Sequence, residues 1–166
     1  MIQKFEESKV SGKHQQLQRL AGEWKGTTKI WLDPNGEPEE SPIQGNFELV
    51  LDGRFVLHKY SWRFHGKSHE GIMILGYHLS LDKFQTIWID SFHTGTDMMY
   101  SEGKRGEEDF TVLGSYASVS AETEQLWGWR THFVIVNDDE IVITAYNISP
   151  DRQETKGTET VYRRES

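Results

Sequence analysis

The stretch LAGEWKGTTKIW (residues 20–31) separates a short helical pattern from a chain of strands. Across its start, Leu17, Leu20 and Ala21 recur at positions i, i+3 and i+4, which is the spacing of one helix face. We therefore expect one helix over about residues 12–21. Within the stretch, β-branched and aromatic residues become frequent, which favours a strand. A Gly-x-Trp pair thus lies where a helix passes into a strand.

Strand-like sequence continues from this stretch almost to the C-terminus. Short runs rich in Val, Ile, Thr and aromatic residues recur at intervals of about ten residues, with turn-forming residues between them. No repeat, low-complexity tract or linker divides the chain. The runs predict ten strands, near residues 24–32, 43–51, 54–64, 67–78, 84–92, 97–104, 109–116, 125–136, 140–148 and 155–164.

Ten strands joined by short turns favour a closed, up-and-down antiparallel β-barrel, because closure removes the two exposed edges of an open sheet. We expect one all-β domain over residues 1–166, with the barrel over about residues 22–164 and the helix of about residues 12–21 near one mouth. A two-sheet sandwich is the alternative fold. A sandwich usually needs longer crossover connections, and the sequence has few candidates for them.

The composition excludes several classes of function. The chain carries a formal charge of −8 and has no cysteine, which excludes disulfides, thiolate catalysis and cysteine-ligated metals. No basic run stands out, so we expect neither a nucleic acid nor an anionic membrane surface as partner. The N-terminal segment lacks the apolar run of a signal peptide, and no stretch has the ~18 apolar residues of a membrane span. A cytoplasmic location is therefore expected.

The turn in LVLDGRFV sets the register of one hairpin. Asp52-Gly53 is a strong two-residue turn signal, because a type I′ turn needs positive φ at both positions. A two-residue turn places Leu51 opposite Arg54. The opposite face of the hairpin is mostly polar, so we predict an interior face made of the pairs Leu49–Val56, Phe47–His58, Gly45–Tyr60 and Ile43–Trp62.

The next two strands continue this interior face in one of two registers. With a turn at His65-Gly66, the interior residues are Gly71, Met73, Leu75 and Tyr77. With a loop one residue longer, Ile72 and Ile74 replace them, because a slip of one residue exchanges the two faces of a strand. The first register, followed by a four-residue turn at residues 80–83, brings inside Phe84, Thr86, Trp88, Asp90 and Phe92.

An ionised carboxylate at Asp90 needs a donor in an aromatic interior, because an unpaired buried charge is costly. Arg130, on the eighth predicted strand, could supply one. A turn at Asp138-Asp139 sets Arg130 opposite Asn147. One face of this strand carries Arg130 and His132. The other carries Trp127, Trp129, Thr131 and Phe133. Both faces include apolar residues, so periodicity does not indicate which one is inside. We take the face of Arg130 as the interior one, because Asp90 needs a cation.

Four motifs in order, LAGEWKG, LDGRFV, GIMILGYH and TIWIDS, resemble the bacterial domain of unknown function 1579 family. The resemblance runs from about Leu17 to Arg163. That family is similar to the calycins, the group of lipocalins and fatty-acid-binding proteins. The resemblance implies a calycin-like barrel in which the ring of Trp24 plugs the closed end and Gly22 allows the sharp passage from helix to strand. The activity of the family is not established, so the resemblance implies a fold and little about function.

Seven histidines raise the question of a metal or haem site. His65 and His69 are four residues apart, but they flank a predicted turn, where this spacing does not place both on one face. A haem-binding relative within the calycins uses a histidine on a late strand as iron ligand. This chain has no histidine after His132, so His58 or His132 would have to substitute. We expect neither a metal nor a cofactor.

The first functional hypothesis is a binding module whose interior takes a small, largely apolar or amphipathic molecule. The wall would be formed by Phe47, Leu49, Val56, Tyr60, Trp62, Met73 and Trp88. The polar end of the ligand would be held by His58, Asp90 and Arg130, and similarity to fatty-acid binders adds Tyr146 beside Arg130. The second hypothesis is an enzyme that uses Asp90 or His58 as general base in the same cavity. The third is a filled barrel that acts as an interaction or structural protein and pairs with a second copy as a homodimer.

Overall fold

The computed structural model describes residues 1–120 and 123–166, which form two short helices and ten strands. Helix α1 spans Ile2–Ser11 and helix α2 spans Lys13–Gln18. The strands are β1 Gly22–Ile30, β2 Glu39–Val50, β3 Phe55–Phe64, β4 Lys67–His78, β5 Lys83–Asp90, β6 Met99–Glu102, β7 Phe110–Ser120, β8 Thr123–Asn137, β9 Glu140–Ile148 and β10 Glu154–Arg164. Each strand pairs with the next, and β1 also pairs with β10. The predicted closed, up-and-down antiparallel barrel is confirmed.

The N-terminus differs from the single helix predicted over residues 12–21. Helix α1 was not predicted, because only Phe5 and Ser8 are buried in it, which leaves almost no apolar periodicity. Gly12 is extended and separates the two helices, and the His14 amide donates a hydrogen bond of 3.2 Å to Ser8 Oγ. The predicted helix is thus shortened to α2. Neither described helix has the length and apolar character needed to cross a membrane.

Trp24 closes one end of the barrel. Its side chain is 1% exposed, and Nε1 donates a hydrogen bond of 2.8 Å to the Leu20 carbonyl. Phe47 and Tyr162 pack against it, each with a ring-centroid distance of 6.5 Å. Gly22 precedes it with a φ of 132°, which a residue with a side chain would adopt only under strain. Trp24 and Gly22 therefore have the places that the calycin resemblance implies.

The interior faces of β2 to β5 are those predicted. Strands β2 and β3 pair in the expected register, with Phe47 opposite His58. The shorter of the two loops considered joins β3 to β4, since Phe64 pairs with Lys67. Phe92 is an exception, because it follows β5 in a loop and is only half-buried. The buried interior residues of β4 and β5 include Gly71, Met73, Leu75, Phe84, Thr86, Trp88 and Asp90.

The turn between β2 and β3 is wider than the two-residue turn predicted. Residues 51–54 form the turn, and three of them have positive φ. Leu51 therefore does not pair with Arg54 in the ladder, and it is 69% exposed. Leu49 was expected in the cavity wall but is 37% exposed, because it lies next to the turn at the rim of the barrel.

The interior face of β8 is the opposite of the one predicted. Arg130 and His132 lie on the outer face, and the buried face carries Trp129, Thr131 and Phe133. Apolar residues occur on both faces, so the alternation along the strand was uninformative. Burial of two aromatic rings is favourable, whereas burial of a guanidinium is costly, and this difference decides the orientation.

A bulge also shifts the pairing predicted between β8 and β9. The register changes by one residue between Ile135 and Asn137, so Arg130 pairs with Tyr146 and not with Asn147. The inserted residue does not disturb the apolar pattern on either side of it. The bulge could therefore not be inferred from the turn that follows it.

Candidate functional site

The barrel contains a cavity of about 70 Å³, here called the inner cavity. His58 and Tyr162 bound it on the side of the Trp24 plug. The other lining residues are Thr28, Ile30, Ile43, Tyr60, Trp62, Met73, Trp88, His93, Trp129, Thr131, Phe133, Ile143, Ala145, Thr158 and Thr160. Five predicted site residues are among those that line it: His58, Tyr60, Trp62, Met73 and Trp88. Their role in binding stays a prediction.

His58 forms the floor of the inner cavity as a neutral imidazole. Its ring stacks on Phe47 with 4.0 Å between centroids, and Nε2 shares a hydrogen bond of 3.1 Å with the Tyr162 hydroxyl. Burial lowers the pKa of His58 to about 3. Gly45 makes room for this contact, because a Cβ at that position would lie 2.5 Å from the Tyr162 hydroxyl oxygen. Phe47 packs against the His58 ring and is not among the residues that line the cavity.

Asp90 is fully buried next to the inner cavity, and its carboxylate accepts several hydrogen bonds. Oδ1 accepts from the amides of Phe92 and His93 at 2.6 and 2.7 Å and lies 3.2 Å from His93 Nδ1, while Oδ2 accepts a short bond from the Tyr60 hydroxyl. Burial raises the pKa of the carboxyl. The hydrogen bonds from His93 and Tyr60 outweigh burial and hold that pKa below its ordinary value. Asp90 thus has the donors it needs, but Arg130 is not among them.

Tyr60 connects Asp90 to the wall of the inner cavity. Its hydroxyl donates to Asp90 and accepts a hydrogen bond of 2.8 Å from Trp88 Nε1. Burial and the neighbouring charge of Asp90 raise the pKa of Tyr60 well above its ordinary value, so the hydroxyl stays protonated. Gly71 admits the ring, because a Cβ there would lie 2.1 Å from Tyr60 Cζ. A continuous hydrogen-bonded chain thus links His93, Asp90, Tyr60 and Trp88.

His93 completes this chain and was not singled out from the sequence. It lies in the loop between β5 and β6, and its side chain is 20% exposed. Its ring lies among Trp62, Trp88 and Trp129, at centroid distances of 6.1, 5.4 and 5.9 Å. The motif DSFH (residues 90–93) was an available signal, since an aspartate that ends a strand can accept hydrogen bonds from amides that follow it.

Arg130 and Tyr146 lie outside the barrel, so their predicted place at the polar end of a ligand is wrong. The Arg130 guanidinium pairs with Glu154 and lies over the Tyr146 ring, with 4.4 Å from Cζ to the ring centroid. On the outer face, the guanidinium contacts a carboxylate and an aromatic ring and still remains hydrated. An interior position would have required full desolvation of the guanidinium.

A second cavity, here called the outer cleft, adjoins the inner one. Its volume is about 320 Å³, and it shares Trp88, His93 and Trp129 with the inner cavity. The rings of Trp88 and Trp129 stack with 5.5 Å between centroids. These three side chains therefore form the partition between the two spaces. The remaining residues of the outer cleft are Thr94, Asp97, Met99, Tyr116, Ala117 and Asn147.

The residues present do not fit a haem. His132 lies on the outer face of β8, and His58 Nε2 is already bonded to Tyr162. The inner cavity, at about 70 Å³, is several times smaller than a haem macrocycle. Within the described part of the chain, no three His, Asp or Glu side chains are grouped so that they could hold a metal ion. The expectation that the protein needs no cofactor stays a prediction.

A family model described as "Protein of unknown function (DUF1579)" matches residues 9–164. The chain belongs to this family. The match covers every strand of the barrel, and the resemblance inferred from the four sequence motifs is confirmed. The description of the DUF1579 family names no activity, so membership alone assigns none to this chain.

The comparison with solved structures agrees with the DUF1579 barrel. The crystal structure of Rv2717c from M. tuberculosis is similar with a TM-score of 0.60, at 15% sequence identity, over 92% of this chain and 96% of that chain. At this identity the similarity shows the fold alone. No curated protein matches the chain.

Proposed function

We propose that this DUF1579 protein binds a small, largely apolar molecule in the inner cavity. The observation that carries the proposal is a space inside the barrel with aromatic walls and a few convergent polar groups, which is the usual composition of a ligand site. Trp62, Trp88 and Trp129 provide flat apolar surfaces. His58 and Thr160 provide hydrogen-bonding groups at other points of the wall.

The volume of the inner cavity limits the size of the ligand. One ordered water needs ~10–15 Å³. A cavity of about 150 Å³ binds benzene, so a space of about 70 Å³ admits at most one aromatic ring, and only with small shifts of the wall side chains. A long-chain fatty acid would fit only if several wall side chains moved. Among calycin-like ligands, the geometry thus supports a small ring compound over a long lipid chain.

The charges around the inner cavity favour an uncharged ligand. No lysine or arginine is found among the described residues that line it. Arg130 and Tyr146, which were predicted to hold an anionic end, lie on the outer face. Asp90 is already compensated by its hydrogen-bond donors. An anionic ligand would therefore lose hydration without gaining a countercharge.

The two residues predicted as catalytic bases are unsuited to acid–base chemistry. His58 has a pKa of about 3 and shares its Nε2 with Tyr162, so it is a weak base in a closed position. Asp90 has a lowered pKa, and its carboxylate is engaged by donors from Tyr60 and His93. A general base works best with a pKa near the working pH. These properties support binding over catalysis by either residue.

Isothermal titration calorimetry with phenol, toluene, hexanoate and palmitate tests the proposal. Ala145 is 3% exposed and lines the inner cavity, so Ala145→Leu fills part of it. Ala117 lines the outer cleft but not the inner cavity, so Ala117→Leu is the matched control. We expect a ring compound to bind the wild type and Ala117→Leu equally, and Ala145→Leu about tenfold more weakly, because the added side chain competes for the same space. Palmitate should not bind.

Two outcomes would contradict small-ligand binding in the inner cavity. One is that none of the four compounds binds the wild type. The other is undiminished binding by an Ala145→Leu variant whose circular dichroism and melting temperature match those of the wild type. If no compound binds and size-exclusion chromatography shows a dimer, the third hypothesis, a filled barrel that pairs with a second copy, replaces the proposal.

A further inference from the structure

We propose that His93 is the polar anchor of the inner cavity and that it selects ring compounds with a hydroxyl or N–H donor, of which phenol is the simplest. This inference rests on the proposed function, because it specifies the chemistry of the molecule that the cavity binds. It depends on the tautomer of His93, on the free position of its second nitrogen and on the rings that surround it.

Asp90 determines which nitrogen of His93 carries the proton. Oδ1 of Asp90 lies 3.2 Å from His93 Nδ1, and the Asp90 side chain is fully buried. A carboxylate accepts hydrogen bonds and has no proton to donate, so Nδ1 must be the donor in this contact. In the neutral ring the lone pair is then on Nε2. His93 therefore presents an acceptor to its surroundings.

Nε2 of His93 is free to accept a hydrogen bond. Its contact with Asp90 uses Nδ1, and no side chain among residues 1–118 and 123–166 is a hydrogen-bond partner of Nε2. By contrast, each fully buried side-chain nitrogen or oxygen of those residues has a partner. His93 also lines both the inner cavity and the outer cleft. A donor on a ligand can thus reach a position that the protein itself leaves unused.

The start of the loop is tied to the end of β5, which holds the anchor in place. The Asp90 amide donates a hydrogen bond of 2.8 Å to Thr94 Oγ1, and Thr94 Oγ1 donates one of 3.0 Å to the Asp90 carbonyl. The amides of Phe92 and His93 donate to Asp90 Oδ1. Four hydrogen bonds within five residues therefore orient the imidazole before a ligand arrives, which lowers the entropy cost of binding.

The surrounding indoles determine the shape of the ligand. Trp62 lies at 27° to the His93 ring, and Trp88 and Trp129 lie at 40° and 46°. They restrict rotation of the imidazole and provide flat apolar surface beside Nε2. A planar body with one donor at its edge matches both features. A saturated, donor-free compound of equal size matches only the apolar surface.

Phenol and toluene form the matched pair of probes, because they have the same number of non-hydrogen atoms and differ in one donor. We expect phenol to bind the wild type about tenfold more tightly than toluene. His93→Phe keeps an aromatic ring among the indoles and removes the acceptor, so the two affinities should become equal. His69→Phe is the control, because His69 contacts Trp62 at 5.0 Å but does not line the inner cavity.

A second measurement on the wild type does not depend on any variant folding. In ¹⁵N NMR spectra, His93 should show a protonated Nδ1 and an unprotonated Nε2, and phenol but not toluene should shift the Nε2 resonance. Equal affinity of the two probes, or a preference that survives in a folded His93→Phe variant, would refute the anchor and leave the proposed function intact. Failure of phenol and toluene to bind would refute the anchor, and failure of hexanoate and palmitate as well would refute the proposed function itself.

Discussion

The two ends of the barrel use similar aromatic residues in different ways. At the closed end, Trp24 and Phe47 contact one another and are each 1% exposed. At the cavity end, Trp62, Trp88 and Trp129 are nearly as buried, at 3% to 7%, but they surround an open space. Low exposure therefore does not distinguish a packed core from a binding site. The distinction is whether the buried rings face other rings or a cavity.

The buried polar groups also differ between the closed end and the cavity end of the barrel. At the closed end, the buried hydrogen bond between His58 and Tyr162 separates the plug from the inner cavity. The cavity end has the chain from His93 through Asp90 and Tyr60 to its tryptophan donor. A buried polar network specifies one arrangement of side chains, because an unmade hydrogen bond there is costly. We expect the closed end to provide stability and the cavity end to provide specificity.

Replacement of one tryptophan at each end should give the largest difference. Trp24→Ala should lower the free energy of unfolding by about 3–5 kcal/mol, because it leaves a cavity in a packed region and removes the bond to the Leu20 carbonyl. Trp62→Ala should cost about 1–3 kcal/mol, since this ring already borders a space and water can enter the enlarged one. Urea unfolding followed by circular dichroism measures both values.

Equal losses for Trp24→Ala and Trp62→Ala would contradict the division of the barrel into a packed end and an open end. A Phe variant at each position is the control, because it keeps a ring and should lose less than half of the alanine effect at the closed end. Ligand titration of the same variants sharpens the comparison: Trp62→Ala should weaken phenol binding, and Trp24→Phe should not.

Acid should destabilise the protein through His58 before it affects Asp90. Between about pH 6.5 and pH 3, the unfolded chain binds a proton at His58 that the native state does not bind. The free energy of unfolding should therefore fall by up to about 1.4 kcal/mol for each pH unit lost in this range. Asp90 contributes to the pH dependence of stability only below its ordinary pKa of 3.8. Its stabilising contribution is lost as the pH falls through its lower native pKa.

Urea unfolding at a series of pH values measures these two contributions. His58→Gln keeps a group that can bond to the Tyr162 hydroxyl and removes the titration, so its stability should depend less steeply on pH between about 6.5 and 4.5. Asp90→Asn should leave the slope in this range unchanged. The same slope for the wild type and His58→Gln would show that the imidazole is not held neutral.

The smallest effect is expected on the outer face. Arg130→Ala removes an ion pair with Glu154, in which the two side chains are 29% and 40% exposed. Partly exposed pairs of this kind contribute about 0–1 kcal/mol, so the unfolding free energy should change by no more than that. Phenol affinity should be unchanged in calorimetry. A loss of binding in a folded Arg130→Ala variant would show that this residue acts on the inner cavity after all.

Sequence patterns predicted the strands that alternate clearly. In β2 and β3 the outer face is largely polar, so one register places His58 and Tyr60 inside. In β4 and β5 the outer face carries Ile72, Ile74, Ile87 and Ile89, and there the short turn after β3 determines the register that places Trp88 inside. In β8 both faces are apolar, so alternation made no choice. The expectation that Asp90 needs a cation put Arg130 inside and Trp129 outside, which is wrong. Alternation is informative only where the two faces of a strand differ in polarity.

The position of His93 in the site could not be predicted from such patterns. His93 follows the last residue of β5 in a loop, and its contact with Asp90 depends on how that loop folds back over the barrel. Its position among Trp62 and Trp129 also depends on strands that are distant in the chain. Local spacing could indicate the hydrogen bonds to the aspartate, but it could not indicate which rings surround the imidazole.

Side-chain alternation and turn residues favoured a closed antiparallel barrel over a sandwich, and the resemblance to the calycins carried by the Gly-x-Trp pair and three other motifs placed Trp24 in its base. These features act over a few residues, so they can be read along the chain. The size of the inner cavity and its polar contacts arise between residues far apart in sequence, such as His58 with Tyr162 and Thr28 with Thr160. Such contacts depend on closure of the whole sheet, because only closure determines which side chains face each other across the interior.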